Sequence, residues 1–393
     1  MEFPWLTIVG LGEDGAAGLI PAARAALDAA ETVIGPPRHL SLLPGLTGRQ
    51  VEWPAPFADG LPLLLAQRGR PTVALASGDP FWFGAGRIIA GALSPDEWTA
   101  LPGPSVFSLA AARLGWPLER TACLGLHAAP LSRLRRHLAP GVRILATLRD
   151  AAAVEELGAY LTGLGGGASI VHVCQALGGP RARLATARAD ALAGDHAAPV
   201  TAAIEPRGIA ALALSPGRPD ALFDNDGQIT KSPIRALTLA ALAPRAGEHL
   251  WDIGGGSGAV ALEWLLSGPS LTATSIERRA DRATRIRANA DALGLELTVI
   301  HGAAPEALTG PPPDAIFVGG GLTAPLLDAL SARAPGARLV ANAVTLETES
   351  LILARQPVLG GSLLRVATES PAPVGAFRAW SPARPVLQWS TTL

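Results

Sequence analysis

Short apolar runs alternate with amphipathic segments twice along the chain, on either side of a polar, proline-rich gap. In the first stretch, apolar runs at 5–10, 32–35 and 72–76 and a shorter one around Trp98 predict strands. Segments with helical spacing follow at 21–31, 58–67, 84–93 and 106–114, and Pro21 suits the first turn of its helix. Past Gly115 the alternation resumes, with strands at 121–126, 142–148, 169–174 and 200–204 and helices at 131–138 and 150–161. Asp150 is placed to cap the last of these. Beyond the gap, strands are predicted at 249–253, 271–276, 297–301, 315–318 and 338–341, and helices at 234–242, 259–266, 279–293, 324–333 and 347–355. Ser232 is placed as the N-cap of the first helix, with Pro233 as its first residue. Runs at 361–369 and 384–389 predict a terminal antiparallel pair. Such alternation implies an α/β protein with largely parallel sheets, whose ligand loops lie at the carboxyl ends of strands.

The gap at 205–227 is rich in Pro, Gly and Asp and has no long periodic segment. It divides the chain into a first domain at 1–212, a linker at 213–226 centred on Ser215-Pro216-Gly217-Arg218-Pro219, and a second domain at 227–393. Within the linker, Leu222-Phe223 reads as a short edge strand or an arm. The first domain carries two α/β lobes with a cleft between them.

Composition narrows the class. A length of 393 residues suits two cores. With 49% apolar residues and only 5% aromatic, those cores must be built from Ala, Leu and Val. A net charge of −1 gives no global attraction to nucleic acid or anionic membrane. Cys123 and Cys174 make a disulfide framework unexpected, and seven histidines and two cysteines show no metal-ligand spacing. No basic region precedes the first apolar run, and no apolar run is long enough to span a bilayer, so a cytoplasmic protein is expected. Lys231 is the single lysine among many arginines; its ammonium is compact and loses its proton when buried, which arginine does not.

The chemistry gathers at Asp252-Ile253-Gly254-Gly255-Gly256-Ser257-Gly258. Glycines let a strand-to-helix turn tighten and let a ligand approach the backbone, and the following helix presents free N–H groups. Glu277 ends the next strand about twenty residues beyond, where a carboxylate accepts both hydroxyls of a ribose. The glycine order is not the G-x-G-x-x-G of a dinucleotide site. It resembles the first motif of the class I S-adenosylmethionine (SAM) methyltransferases, a Rossmann-like sheet ending in an antiparallel strand. The resemblance implies that Asp252, Gly254, Gly255, Gly256, Ser257 and Gly258 receive the amino-acid end of SAM and that Glu277 holds its ribose. The base would be read near Gly302 and Ala303, where the family often has an acidic residue and this chain does not.

The first domain resembles the tetrapyrrole (corrin/porphyrin) methylase family, of a different fold. Its opening Gly10-Leu11-Gly12-Glu13-Asp14-Gly15 lacks the family proline, whereas Ser77-Gly78-Asp79-Pro80 and Pro102-Gly103-Pro104-Ser105 match well. The resemblance implies that Gly10, Gly12, Ser77, Gly78, Asp79, Pro102, Gly103, Pro104 and Ser105 bind SAM. Ile34-Gly35-Pro36-Pro37-Arg38-His39-Leu40 and Cys174-Gln175-Ala176-Leu177-Gly178-Gly179-Pro180 look like the branch that methylates C5 of precorrin-6B, with Arg38 and His39 as substrate contacts. In the second domain, Thr230-Lys231-Ser232-Pro233-Ile234-Arg235, Gly319-Gly320-Gly321 and Asn342-Ala343-Val344-Thr345-Leu346-Glu347 resemble the decarboxylating enzymes that methylate C15 of the same substrate. This implies a SAM contact at Thr230, catalytic roles for Lys231, Arg235 and Asn342, and substrate contacts at Gly319, Gly320 and Gly321. Together the two resemblances imply a bifunctional corrin-pathway methyltransferase using one SAM per domain. It would convert precorrin-6B to precorrin-8X with loss of the C12 acetate carboxylate.

Two rival readings stand beside it. One is an RNA methyltransferase, with Arg133, Arg135, Arg136 and the arginines of 278–287 on phosphate, although a solvated helix face explains them equally. The other is that one domain only binds SAM or a partner, which the altered Gly10–Gly15 loop favours for the first. The expected partner is a small tetrapyrrole, without nucleic acid or membrane. Self-association is expected through the apolar helices at 61–65 and 88–93.

Overall fold

Alternation of side chains across two helix layers explains the first sheet. The computed structural model describes residues 4–393, which fall into two compact units, one of residues 4–131 and His137–Ala211 and the other of Ser132–Arg136 and Leu212–Leu393. In the first unit, β1 (Leu6–Leu11), β2 (Thr32–Gly35), β3 (Arg49–Glu52), β4 (Thr72–Ser77) and β5 (Trp98–Leu101) form a wholly parallel sheet in the order β3-β2-β4-β1-β5. Val33, Val73 and Leu75 point to one core with α1 (Pro21–Ala29) and α2 (Pro37–Ser41). Ile34, Ala74 and Ala76 point to the other, against α3 (Gly60–Leu65) and α4 (Gly86–Gly91). The helix predicted at 58–67 is split, with a 3-10 turn at Phe57–Asp59 ahead of α3. Leu63 and Ile88, on the two helices expected to self-associate, are exposed.

The second lobe follows α5 (Val106–Leu114). It contains β6 (Thr121–Gly125), β7 (Arg143–Thr147), α6 (Ala152–Gly163), β8 (Ile170–Gln175), β9 (Arg183–Arg188) and β10 (Val200–Glu205), in the sheet order β6-β7-β10-β8-β9. This sheet is mixed rather than largely parallel, because β10 runs antiparallel to both neighbours. The helix predicted at 131–138 is a 3-10 segment. Asp150 stands one residue before the N-cap, Ala151, and its Oδ1 accepts from the Ala153 N–H of the first turn of α6 at 2.9 Å.

The second unit is a doubly wound sheet of β11 (His249–Ile253), β12 (Thr272–Glu277), β13 (Thr298–His301), β14 (Ala315–Val318), β15 (Arg338–Ala343), β16 (Ser362–Val366) and β19 (Val386–Thr392). A hairpin of β17 (Glu369–Val374) and β18 (Phe377–Pro382) stands between the last two in sequence. The order is β13-β12-β11-β14-β15-β19-β16, and β19 is antiparallel to both neighbours, as the terminal pair predicted. One face packs on α7 (Ser232–Leu242), α8 (Ala259–Leu266) and α9 (Ala280–Leu293), and the other on α10 (Ala324–Arg333) and α11 (Leu346–Leu359). α11 continues through Pro357, past its predicted end. Among the described residues no helix is long and apolar enough to cross a membrane.

Residues 213–226 are not a free linker. Phe223 is buried in the core beside α7 and α8, and the Gly217 and Arg218 N–H groups donate to the buried Glu263 carboxylate at 2.7 and 2.9 Å. Ser232 does not cap α7: its hydroxyl donates to the Gly217 carbonyl, and Asp220 accepts from the Ser232 N–H at 3.0 Å instead.

Candidate active sites

Four strand ends build the site of the first unit. Gly78, with φ +54°, donates its N–H to the Leu11 carbonyl at 2.9 Å, and its own carbonyl accepts from Gly103 at 3.0 Å. A Cβ on Gly10 would stand 1.9 Å from Gly78 O and 2.4 Å from Gly103 N. Three loops therefore touch backbone to backbone where only glycine fits. Side chains hold their ends: Asp79 Oδ1 accepts from the Phe81 N–H at 2.8 Å, and Ser105 Oγ caps α5 by accepting from Ser108 at 3.2 Å. Pro102 and Pro104 bracket Gly103, and a Cβ on Gly12 would stand 2.5 Å from Asp14 Oδ1, so that carboxylate would have to move.

The expected substrate pair, Arg38 and His39, lies within this cluster. The Arg38 guanidinium pairs with the buried Glu13 and donates to Ser77 Oγ at 3.0 Å and to His39 Nε2 at 2.8 Å. His39 Nε2 is also 2.9 Å from Ser77 Oγ. Arg181, from the loop after β8, reaches the second Glu13 oxygen at 3.0 Å and ties the two lobes together. Burial first, and the Arg38 charge second, push His39 down to about 4. The sequence gives no role to Glu13 and Arg181, which lie far apart along the chain. The one available signal was the missing proline, since Glu13 stands where the family motif has it.

In the second unit the turn after β11 has three glycines at positive φ: Gly254 at +73°, Gly256 at +61° and Gly258 at +76°. Gly255 packs so closely that a Cβ would meet Ser275 Oγ at 2.1 Å. Glu277 is buried, and its two oxygens accept the Gly256 and Arg279 N–H groups, each at 2.9 Å. Asp252 is 1% exposed; Oδ2 is 3.5 Å from Ser275 Oγ, and Oδ1 has no partner. Burial, the leading cause, pushes its carboxyl up to about 7, and the charge of Glu277 adds to the rise. The Gly302 N–H donates to the Glu277 carbonyl at 3.0 Å, bringing Gly302 and Ala303 alongside. Gly319 and Gly320 run past the carbonyls of Ile253 and Gly254, and Gly321 has φ +75°. Ser257 is buried, its carbonyl accepting from Asn289 at 2.9 Å.

A buried anion acceptor with no partner beside a glycine turn fits a cationic amino-acid moiety, and the Glu277 carboxylate keeps lone pairs for a diol. The residues present therefore fit SAM in the second unit.

The expected catalytic residues are placed differently from one another. Lys231 is exposed at the start of α7, 3.6 Å from Asp220. Arg235 is not available to a substrate: it is fully buried, its Nε donates to Glu263 at 2.8 Å and Nη1 to Asp220 at 3.1 Å. Its remaining donors reach the Thr230 and Arg218 carbonyls, and its plane lies 5.0 Å over the Phe223 ring. The expected SAM contact Thr230 is thus fixed by Arg235 through its carbonyl. Asn342 is also buried. It donates to Thr238 Oγ1 at 3.0 Å and accepts from Gln388 Nε2 at 3.1 Å, which joins α7 to β15 and β19.

These two sites, on two different folds, define paired methyltransferase modules. The family described as tetrapyrrole (corrin/porphyrin) methylases matches residues 5–193, and the precorrin methyltransferase domain matches 221–393. A precorrin-6Y C(5,15)-methyltransferase [decarboxylating] of Sinorhizobium sp is 46% identical over 99% of this chain and 96% of its own length. One of the same description from Mycobacterium tuberculosis is 40% identical over 98% and 99%. The crystallised C-terminal domain of precorrin-6Y C5,15-methyltransferase from Rhodobacter capsulatus is 52% identical, covering 46% of this chain and all of that one, with a TM-score of 0.45. The chain belongs to the precorrin-6Y C(5,15)-methyltransferase (decarboxylating) family.

Proposed function

We propose that the chain methylates precorrin-6B twice, at C5 in the first unit and at C15 in the second, and removes the C12 acetate carboxylate as CO2 to give precorrin-8X. The observation that carries this reading is the likeness of the chain, from end to end, to the decarboxylating C5,15 enzymes, and a glycine-rich cluster of strand-end loops in each unit supports it. One SAM is bound per unit, and when bound it supplies an electrophilic methyl group. The protein's part is placement and exclusion of water. In the second unit Glu277 orients the diol, and Asp252 accepts from the cationic end. Asn342 holds α7 against the sheet, and Lys231 offers a charge-assisted contact to a substrate carboxylate. The electron pair left by CO2 is taken up by the conjugated macrocycle, so the residues need only hold that carboxylate in an apolar setting. In the first unit Arg38 meets the carboxylates of the macrocycle.

An RNA substrate has nothing comparable in its favour, since Arg279, just before α9, and Arg282 and Arg285 on it are paired with Asp281, Asp226 and Asp224. The test is product mass after incubation with precorrin-6B and SAM. Gain of two methyls with loss of one CO2 supports the reading; unchanged substrate overturns it.

A further inference from the structure

The His39–Ser77 contact has a direction fixed by its third member. An arginine only donates, so His39 Nε2, 2.8 Å from Arg38 Nη2, carries the ring's lone pair. A neutral His39 then bears its hydrogen on Nδ1, and its one Nε2 lone pair is shared between the Arg38 N–H and the Ser77 hydroxyl, which lies 2.9 Å from Nε2 and itself accepts from Arg38 at 3.0 Å. His39 is buried, while Ser77 is exposed at the mouth of the glycine junction. The charged groups in this network come from three places in the chain: Arg38 on α2, Glu13 after β1 and Arg181 after β8. An oriented hydroxyl backed by a buried imidazole is the arrangement that accepts a proton.

The reaction assigned to the first unit creates a need for it. A methine carbon that gains a methyl group and stays in conjugation must lose its hydrogen. We propose that Ser77 and His39 are the proton-accepting pair of the first unit, with Ser77 touching the substrate and His39 acting through it. The inference rests on the C5 methylation proposed above. The new C–C bond forms from the macrocycle's π pair as the donor's S–C bond breaks, and that bond's pair stays with sulfur. The C–H pair of the methylated carbon then returns to the ring. Its proton goes to Ser77 Oγ as the Ser77 hydrogen passes to His39 Nε2, and the proton leaves to water through exposed Ser77. A strong base is unnecessary, because the methylated macrocycle is cationic and its C–H acidic. What is needed is an acceptor that stays unprotonated at working pH, and Arg38 beside a buried His39 ensures this.

The two products of one chain make the test internal. Ser77→Ala and His39→Asn are compared with wild type for methylation at C5, read by mass, with C15 methylation and CO2 loss as the control. S-adenosylhomocysteine stoichiometry reports whether the first unit still binds. A fall of about 10²–10⁴-fold in the C5 step with the C15 step retained is expected in both variants, with donor binding retained in His39→Asn. The wild-type C5 rate is expected to hold from neutral pH down to about 5 and to fall with an apparent pKa of about 4. Arg38→Gln moves that limb upward, because one of the two effects that lower the His39 pKa is gone. In the ligand-free protein, nitrogen NMR of labelled histidine is expected to show one ring, absent in His39→Asn, that remains neutral with its hydrogen on Nδ1 at pH 6. Wild type active at C5 with both variants within twofold, or an Nε2–H tautomer, overturns the pair alone. Wild type that never methylates C5 overturns the proposed function, and the pair's role with it.

Discussion

Asp252 is a buried carboxylate that the protein itself leaves half unpartnered, with Oδ1 bare and Glu277 nearby. Its pKa, raised to about 7 from an ordinary value of 3.8, means that the folded state holds the proton more tightly than the unfolded one. The stability this contributes is complete below pH about 4 and is lost as pH rises through about 7. Asp252→Asn removes that loss. The ligand-free variant is expected to melt above wild type at pH 8.5, with a smaller difference at pH 5.5, and to bind S-adenosylhomocysteine in the second unit at least tenfold more weakly. Thermal denaturation with and without ligand at the two pH values checks this; a variant that melts lower at pH 8.5 and binds normally contradicts it. Arg235 and Lys231, four positions apart, separate structure from recognition in the same way. Removing one partner of a buried pair strands the other charge, so Arg235→Met should cost about 3–5 kcal/mol in urea unfolding. Lys231→Met, at an exposed site, should stay within about 0.5 kcal/mol while raising KM for the C15 step.

At the scale of elements, the loops work because strand ends are locked before any ligand arrives. Gly10→Ala puts a Cβ into the Gly78 carbonyl, and backbone on both sides cannot yield. The expected product from that variant carries one methyl and has lost CO2, since the second unit's loops are untouched; a doubly methylated product would show that the junction is not needed. Such glycine turns were readable in the sequence, as were β4 and β11, whose apolar residues feed cores on both faces of the sheet. β3 and β9 were not, because Arg49-Gln50-Val51-Glu52 and Arg183-Leu184-Ala185-Thr186-Ala187-Arg188 are edge strands, largely exposed, with no apolar face to declare them. The cap of α7 escaped for a different reason. Ser232 has the chemistry of an N-cap, but Asp220, twelve residues earlier, supplies the acceptor. The same non-local pairing hid Arg235, whose sequence position says helix surface while Glu263 and Asp220 draw it inward. Local propensity reads what a residue prefers, and it does not see a partner brought by the fold.

For the whole molecule, the decisive quantity is how many donor molecules one chain holds. Each unit has its own hydrophobic cores and its own set of strand-end loops, and no residue of one glycine cradle belongs to the other. The two glycine clusters differ in chemistry: a backbone junction beside the buried His39 and Glu13 in the first unit, and a turn flanked by the buried Asp252 and Glu277 in the second. Calorimetric titration with S-adenosylhomocysteine is therefore expected to give two equivalents per chain. Only the site containing Asp252 should weaken when pH falls through about 7, since protonation removes its anion. Gly10→Val should abolish the site that lacks this pH dependence. Gly255→Val, whose Cβ meets Ser275, should abolish the site that has it. One equivalent in wild type would make one unit a methyltransferase without a donor of its own, and two sites weakening together with pH would mean that the carboxylates do not set the affinity. The pattern expected here is subtractive. Each variant loses one equivalent and one methyl, and CO2 loss follows the second unit alone.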